Sequence, residues 1–274
     1  MLPTFVLIGA MKSATTSLHY YLDLHPQISM SHRKELDFFI ADRQWPNGVD
    51  WYESQFSDDA PVRGESSTGY TKYPDVGGVP ERMHSILPDA KLIYMVRDPI
   101  ERILSQYVHE YAYGDEPRHI SDALGTLQHN RYLDISSYYL QLTQFLKFYP
   151  LDRVLTVAAE DLRDRRIPTL QRIFRFLEVD DRFCTGEFDR LLNQSAEKRR
   201  KNWLGHFLSR YSVQHYRVHA SGVTSLGIVR TVTGSKFEHP VLNQRLKQKL
   251  IDALRDDVNA FRAVTGMKFD SWCV

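Results

Sequence analysis

The sequence predicts an α/β fold of three layers, in which a central parallel sheet lies between two layers of helices. Short apolar runs cover 4–10, 91–97 and 152–160, and a weaker run covers 61–67. These runs do not alternate with polar residues, which indicates strands buried on both faces. Helical patterns separate them, as expected for strands joined by helical crossovers.

The helical segments predicted between and after these strands are 15–24, 77–88, 99–114, 136–150, 168–179 and roughly 243–265. The last of them ends at Gly266, a residue that commonly terminates helices. The region 115–135 is polar and predicts irregular structure, whereas 186–240 has few clear periods. No repeat and no break in composition divides the chain. We therefore predict a single domain over residues 1–274.

Composition restricts the classes of partner and the compartment. The formal net charge of +1 gives no global field for nucleic acid or an anionic membrane, so we expect neither partner. Cys184 and Cys273 are far apart, which favours free thiols in a reducing compartment. Neither lies near histidines at zinc-binding spacing, and no metal site is predicted. With no apolar anchor or leader visible, we expect a cytoplasmic, bacterial enzyme, although a soluble catalytic domain of an anchored protein remains open.

The segment GAMKSATTS, residues 9–17, follows the first strand and has the composition of an anion-binding loop. Gly9 allows close approach, and Lys12 supplies a flexible cation. Hydroxyl residues lead into the helix: Ser13, Thr15, Thr16 and Ser17. Helix N-termini bind phosphate and sulfate groups. The loop is not a Walker A motif, because Met11 rather than glycine directly precedes Lys12 and the loop has no second glycine. The alternative is a polar turn with a serine or threonine N-cap and a solvated lysine.

A second candidate cluster occurs in YMVRDPIERILSQY, where Arg97 leaves a strand, Pro99 opens a helix and Ser105 lies two turns further on. Arg97 therefore reaches the same sheet edge as the first loop. Arginine makes forked contacts to phosphate, and a serine hydroxyl can add a donor. The alternative is an ordinary surface ion pair of Arg97 with Asp98 or Glu101.

Together these two clusters resemble the sulfotransferases that use 3′-phosphoadenosine 5′-phosphosulfate (PAPS). HPQISMSHRKELDFF (25–39) is similar to the Lys-Glu-x-His-Phe-Phe segment of heparan-type and related bacterial members. GESSTGY (64–70) resembles their Gly-Glu-Lys-[Ser/Thr]-Pro-x-Tyr, and GSKFEHPVL (234–242) resembles their late Gly-x-x-His-Pro loop. The resemblance covers almost the whole chain. It implies a P-loop-like strand–loop–helix and transfer of a sulfuryl group from PAPS to an acceptor hydroxyl, with PAP as product.

The resemblance also implies roles for residues on the donor side. Lys12 would stabilise the bridging oxygen and the charge that develops during transfer. Arg97 and Ser105 would hold the 3′-phosphate, with Ser235 and Lys236 as contacts from the late loop. The 5′-phosphate would be held by the segment that opens the first helix, Ser13, Ala14, Thr15, Thr16 and Ser17. PAPS carries its own good leaving group, so the reaction requires no metal.

On the acceptor side, the resemblance makes Glu35 the general base that deprotonates the acceptor, with His19 and His32 as reserve bases. The sequence departs from the family pattern at three positions. Asp37 stands where histidine is common, and the residues that replace the usual lysine and proline are Ser66 and Thr68. These departures leave the acceptor open: a small molecule or glycan, such as a carbohydrate or a glycosylated or polyketide-like metabolite.

Two other functions are compatible with a phosphate-binding loop. A P-loop kinase or NTPase would need a lysine directly after glycine and an acidic strand end for a metal, and the sequence offers only Asp98 behind an arginine. A nucleotide-binding module without catalysis would keep Arg97 and Ser105 but would not need Lys12 or Glu35. The presence of both favours the enzyme. The sequence does not indicate the oligomeric state.

Overall fold

The structure is a computed structural model that describes residues 1–57, 59–190, 200–201, 234–235 and 240–274. Its main sheet has five parallel strands in the order β2-β3-β1-β4-β5. The strands are β1 Phe5–Gly9, β2 Ile28–Met30, β3 Val62–Ser66, β4 Lys91–Val96 and β5 Val154–Ala158. A separate antiparallel pair is formed by β6 Arg200–Lys201 and β7 Gly234–Ser235. The parallel sheet and all four predicted strands are confirmed.

The helices of the described residues are α1 Thr15–Asp23, α2 Gly48–Glu53, α3 Val79–Ile86, α4 Pro99–Tyr113, α5 Ile120–Ala123, α6 Arg131–Ser136, α7 Tyr138–Phe145, α8 Ala159–Asp164, α9 Arg166–Leu177 and α10 Gln244–Thr265. The prediction of irregular structure over 115–135 is wrong in part, because α5 and the start of α6 lie there. Side chains of His119 and Asn130 cap these two short helices, which polar composition alone did not reveal. The three-residue strand β2 was also missed, since it is too short to show a pattern.

Both faces of the sheet are buried, as the non-alternating apolar runs predicted. In β1, Phe5 and Leu7 enter one core with residues of α1 and α9. Val6 and Ile8 enter the other, with residues of α3, α4, α7 and α10. This arrangement gives the three layers, helices–sheet–helices.

Strand order decides which loops meet. Strand β1 lies at the centre of the sheet, and β3 and β4 pair with it on either side. Because all five strands are parallel, their carboxyl ends lie at one edge of the sheet. The loops that follow β3, β1 and β4 therefore stand side by side at that edge.

Candidate functional site

The loop between β1 and α1 is a tight turn held against the neighbouring strand. The Ala10 N–H donates to the Met95 carbonyl at 2.6 Å, and the Ser13 N–H donates to the Ala10 carbonyl at 3.2 Å. Lys12 and Ala14 have positive φ angles of 70° and 62°. Ala14 is the N-cap of α1, and no side chain caps the helix, so the alternative of a serine or threonine cap is wrong. The first N–H groups of a helix have no partner within it and are suited to an anion.

Gly9 allows the loop after β3 to pack against the end of β1. Its φ is 152°, and a Cβ atom placed on it would lie 2.0 Å from the Thr71 Oγ1. Any side chain here would collide with Thr71 and push the two loops apart. The glycine therefore brings the acceptor-side residues close to the Lys12 loop.

Glu35 lies at the end of β3, where its N–H donates to the Ser66 carbonyl at 2.8 Å. Its backbone has a positive φ of 60°. One carboxylate oxygen pairs with the Lys34 ammonium, and the other accepts the Thr68 N–H at 2.7 Å. The Thr68 hydroxyl lies 3.2 and 3.4 Å from the two oxygens. The carboxylate is thus held in a fixed orientation, and it is still partly exposed to an acceptor.

Asp37 and Lys72 place further charge beside Glu35. Asp37 is 7% exposed and forms an ion pair with Arg43. Burial raises the pKa of Asp37, although the Arg43 guanidinium opposes the shift. Burial also lowers the pKa of the Lys72 ammonium, while the carboxylates of Asp37 and Glu35 act in the opposite direction. This acceptor side is therefore densely charged.

The two reserve bases lie in different surroundings. Burial, together with the nearby Lys34 charge, lowers the pKa of His19 to about 4, so its ring is neutral at pH 7. The Glu35 carboxylate acts on the same ring in the opposite direction, which places His19 near the candidate base. His32 is exposed, and its backbone N–H donates to the Gln55 carbonyl at 3.0 Å. The geometry favours Glu35, which hydrogen bonds hold at the sheet edge.

Arg97 leaves β4 at the edge where the Lys12 loop begins. Its guanidinium donates to the Glu101 carboxylate at 3.2 Å, so the surface pair considered as an alternative is present. Its backbone is held by the Tyr138 hydroxyl, which donates to the Arg97 carbonyl at 2.7 Å and accepts the Arg97 N–H at 3.2 Å. Tyr138 therefore fixes the backbone of Arg97 at the end of β4.

Ser105 lies in α4, and Ser235 lies in the small antiparallel pair of strands. Ser105 is 7% exposed on this helix. Ser235 lies in β7 opposite Arg200 of β6, and β6 lies against α4. Ser235 is thus in the strand paired with the one that contacts α4, the helix that contains Ser105. Lys236 lies outside the described residues.

Arg102 was not predicted as part of the site, although it lies beneath the Lys12 loop. It is 0% exposed, and its guanidinium donates to Ser136 Oγ at 2.6 Å and to the Tyr132 carbonyl at 2.8 Å. A third, longer hydrogen bond of 3.5 Å reaches the Met11 carbonyl. Arg102 lies on the buried face of α4. The sequence shows no clear signal of this, because periodicity alone assigns a charged residue to the surface.

The described ranges contain neither a candidate metal cluster nor a candidate membrane-spanning helix. Within these ranges, no group of three or more histidine, cysteine, aspartate or glutamate residues could hold a metal ion. No helix there is long and apolar enough to cross a membrane.

The chain is similar to known proteins over most of its length. Residues 2–247 match the family profile described as "Sulfotransferase domain". Human bifunctional heparan sulfate N-deacetylase/N-sulfotransferase 2 is 31% identical over 201 residues, or 65% of this chain and 22% of that protein. Human heparan sulfate glucosamine 3-O-sulfotransferase 5 is 27% identical over 194 residues, or 66% of this chain and 55% of that protein. The chain thus spans about a fifth of the first relative and about half of the second.

One solved structure shares the fold over the whole chain. The crystal structure of a sulfotransferase from Alicyclobacillus acidocaldarius has a TM-score of 0.71 at 20% identity, and 99% of each chain is covered. At this identity the match shows the α/β fold. The profile match over residues 2–247 shows the family, and the chain therefore belongs to the sulfotransferases.

Proposed function

We propose that this protein transfers a sulfuryl group from PAPS to an acceptor hydroxyl. The observation that carries the proposal is the order of three strand ends along one sheet edge. Glu35 is bonded to the end of β3, Lys12 follows β1 and Arg97 follows β4. Neighbouring strands lie about 4.8 Å apart, so the three positions span a distance on the order of 10 Å. This order provides a base for the acceptor, a cation for the transferring group and a second site for the donor phosphate, as in-line transfer requires.

Each side chain has a role set by its chemistry. The N–H groups that open α1, with the hydroxyls of Thr15, Thr16 and Ser17, hold the 5′-phosphate. Lys12 offsets the charge that develops on the transferring group and the leaving oxygen. Arg97 and Ser105 hold the 3′-phosphate, with Ser235 and Lys236 as further contacts. PAPS supplies the good leaving group, and no resident metal is part of the proposal.

Glu35 acts as the general base. The acceptor oxygen attacks sulfur as the sulfur–oxygen bond to PAP breaks, and the acceptor proton passes to the Glu35 carboxylate. Lys34 and the Thr68 N–H both donate to this carboxylate and hold it in one orientation. General-base catalysis needs a positioned acceptor for the proton, and these bonds provide it.

A carbohydrate is the acceptor class we propose. Two relatives named above are heparan sulfate sulfotransferases, one acting on nitrogen and one on oxygen by name. A carboxylate base suits a hydroxyl, whose proton must be removed during attack, whereas a free amine attacks through its lone pair. We also propose that residues 1–274 form one sulfotransferase domain, since α10, which extends beyond the profile match, packs against α4 and α7. The exposed, free Cys184 and Cys273 support a reducing cytoplasm as its compartment.

The first experiment is calorimetric titration of the purified protein with PAP, AMP and ATP in the absence of added metal. We expect PAP to bind at least tenfold more tightly than AMP, because only PAP engages the second site. Arg97→Ala should remove this preference, whereas Arg163→Ala, which removes an exposed arginine on α8, should retain it. Magnesium-dependent ATP binding with no preference for a 3′-phosphate would overturn the proposal in favour of a kinase or NTPase.

Acceptors can then be screened with radiolabelled PAPS. The panel pairs N-acetylated and de-N-acetylated forms of the same uronate–glucosamine glycan and adds a phenolic glycoside. Label on the N-acetylated form that depends on Glu35 would support transfer to oxygen. Label confined to the de-N-acetylated form would show transfer to nitrogen and contradict the hydroxyl.

A further inference from the structure

Asp98 is the point where a distant segment of the chain reaches the candidate 3′-phosphate site. Its Oδ1 accepts the N–H groups of Ile100 and Glu101 at 2.9 and 3.0 Å, so it caps α4. Its Oδ2 accepts the Cys273 N–H at 2.6 Å, and its own N–H donates to the Glu160 carboxylate at 2.9 Å. Asp98 is 5% exposed. The amino end of α4 is therefore fixed partly by a residue 175 positions away in the sequence.

Trp272 makes a second connection between the same segment and this site. Its ring stacks on Phe269 with centroids 4.1 Å apart and lies 5.6 Å from the Tyr138 ring. Tyr138 is the residue whose hydroxyl holds both the N–H and the carbonyl of Arg97. Trp272 is 7% exposed, and its indole N–H points to the Glu160 carboxylate at 3.5 Å. The segment thus packs against Tyr138, which in turn holds the Arg97 backbone.

These contacts act on the parts of the site that must be rigid. A side chain that binds a phosphate does so with less loss of entropy when its backbone and helix are already fixed. Arg97 pairs with Glu101 in the first turn of α4, so the position of α4 also affects the direction of the arginine. Because Asp98 and Tyr138 flank Arg97 in space and both contact the same segment, loosening that segment should disturb Arg97 before it disturbs the Lys12 loop.

We propose that residues 269–274 are a positioning element of the 3′-phosphate site, acting on Arg97 through Asp98 and Tyr138. The inference rests on the proposed function, since it assigns the 3′-phosphate to Arg97. It gives the segment a role in selecting PAP over nucleotides that lack a 3′-phosphate. A segment that only closed the core would affect both kinds of nucleotide alike.

The test compares Trp272→Ala with Trp272→Phe by calorimetry against PAP and AMP, at a temperature where thermal denaturation shows each variant folded. Trp272→Ala should weaken PAP binding about tenfold, equivalent to about 1.4 kcal/mol, and change AMP binding less than about twofold. Trp272→Phe keeps an aromatic ring against Tyr138 and Phe269, so it should restore most of the PAP affinity.

A second pair of variants isolates the hydrogen bond to Asp98. Cys273→Pro removes the backbone N–H that Asp98 accepts, whereas Cys273→Ala keeps this N–H and removes only the thiol. We expect a selective loss of PAP affinity of about threefold to tenfold for the proline variant, and near wild-type binding for the alanine variant.

The outcomes separate the inference from the proposed function. If the wild-type protein does not prefer PAP to AMP, the proposed function fails, and the inference fails with it. If the wild type prefers PAP but Trp272→Ala and Cys273→Pro leave that preference unchanged, or weaken both nucleotides equally, the inference alone is overturned and the segment is only structural.

Discussion

The donor and acceptor sides of the site rest on buried groups of opposite character. Beneath the Lys12 loop lies Arg102, a fully buried cation. Beneath the acceptor side lies Glu65, a fully buried carboxyl in β3 faced by the hydroxyls of Tyr52 and Tyr70. Burial raises the pKa of Glu65 to about 8, although the two tyrosine hydroxyls oppose the shift. At pH 7 the donor side thus has a buried charge, and the acceptor side has a buried neutral acid.

This difference is compatible with the donor and acceptor roles proposed above. The hydrogen-bond partners of Arg102 among the described residues are neutral oxygens, and the nearby Glu110 carboxylate also acts on its charge. The acceptor side already carries the carboxylates of Glu35 and Asp37. Burial is the main reason that Glu65 is neutral, and repulsion by these two carboxylates acts in the same direction. Four substitutions test this difference between the two sides, and they are given in order of decreasing expected effect.

Glu35→Gln should abolish most turnover while leaving the donor side intact. Loss of a positioned general base costs roughly 10²–10⁴-fold in rate. PAP affinity measured by calorimetry should stay within about twofold of the wild type, because a neutral amide at this position still accepts the Thr68 N–H. Turnover with the acceptor found in the glycan screen gives the rate. Substantial activity in this variant would reassign the base, with His32 as the next candidate.

Glu65→Gln should change how stability depends on pH. The folded-state pKa of Glu65, about 8, lies above its ordinary 4.5. Its contribution to stability is therefore fully present below pH 4.5 and is lost as the pH rises through about 8. Denaturant unfolding should show the variant more stable than the wild type at pH 9 by several kcal/mol, at about 1.4 kcal/mol per pKa unit, and similar at pH 5. Glu81→Gln, which changes an exposed glutamate of α3, is the control. Equal pH profiles for all three proteins would contradict a neutral Glu65.

Lys12→Ala should reduce turnover roughly 10²–10³-fold, because the cation acts on charge that develops in the transition state. PAP binding should weaken less than turnover, since PAP lacks the sulfuryl group. Lys147→Ala, which removes an exposed lysine just after α7, serves as the matched control. Equal losses in PAP affinity and in turnover would mean that Lys12 serves binding alone.

Thr68→Val should lower turnover about tenfold, with PAP affinity unchanged. It removes the hydroxyl near the Glu35 carboxylate. A hydrogen bond to a charged group contributes about 1.5–3 kcal/mol, and because this contact is long we expect a value at the lower end of that range. Thr68→Ser retains the hydroxyl and should retain the rate. A parallel fall in PAP affinity in Thr68→Val would show that the two sides of the site are not independent.

Much of the donor side could be predicted from the sequence because it is built from local patterns. A strand, a loop and a helix are adjacent in sequence both at Lys12 and at Arg97, and parallel strands place such loops at one edge. The acceptor side was harder. Glu35 reaches its position through a positive φ angle and through bonds to Ser66 and Thr68, about 30 residues away, and no periodicity in the sequence reports these contacts.

Short-range apolar and polar patterns in the sequence were enough to predict the α/β class, four of the five main strands and two candidate phosphate-binding segments. Only the tertiary structure revealed that Arg102 lies beneath the Lys12 loop, that Glu65 is buried between tyrosines, and that Cys273 bonds to Asp98. Burial and long-range hydrogen bonding depend on how elements pack. A buried arginine or glutamate looks the same in sequence as one in water, and packing alone gives each its environment.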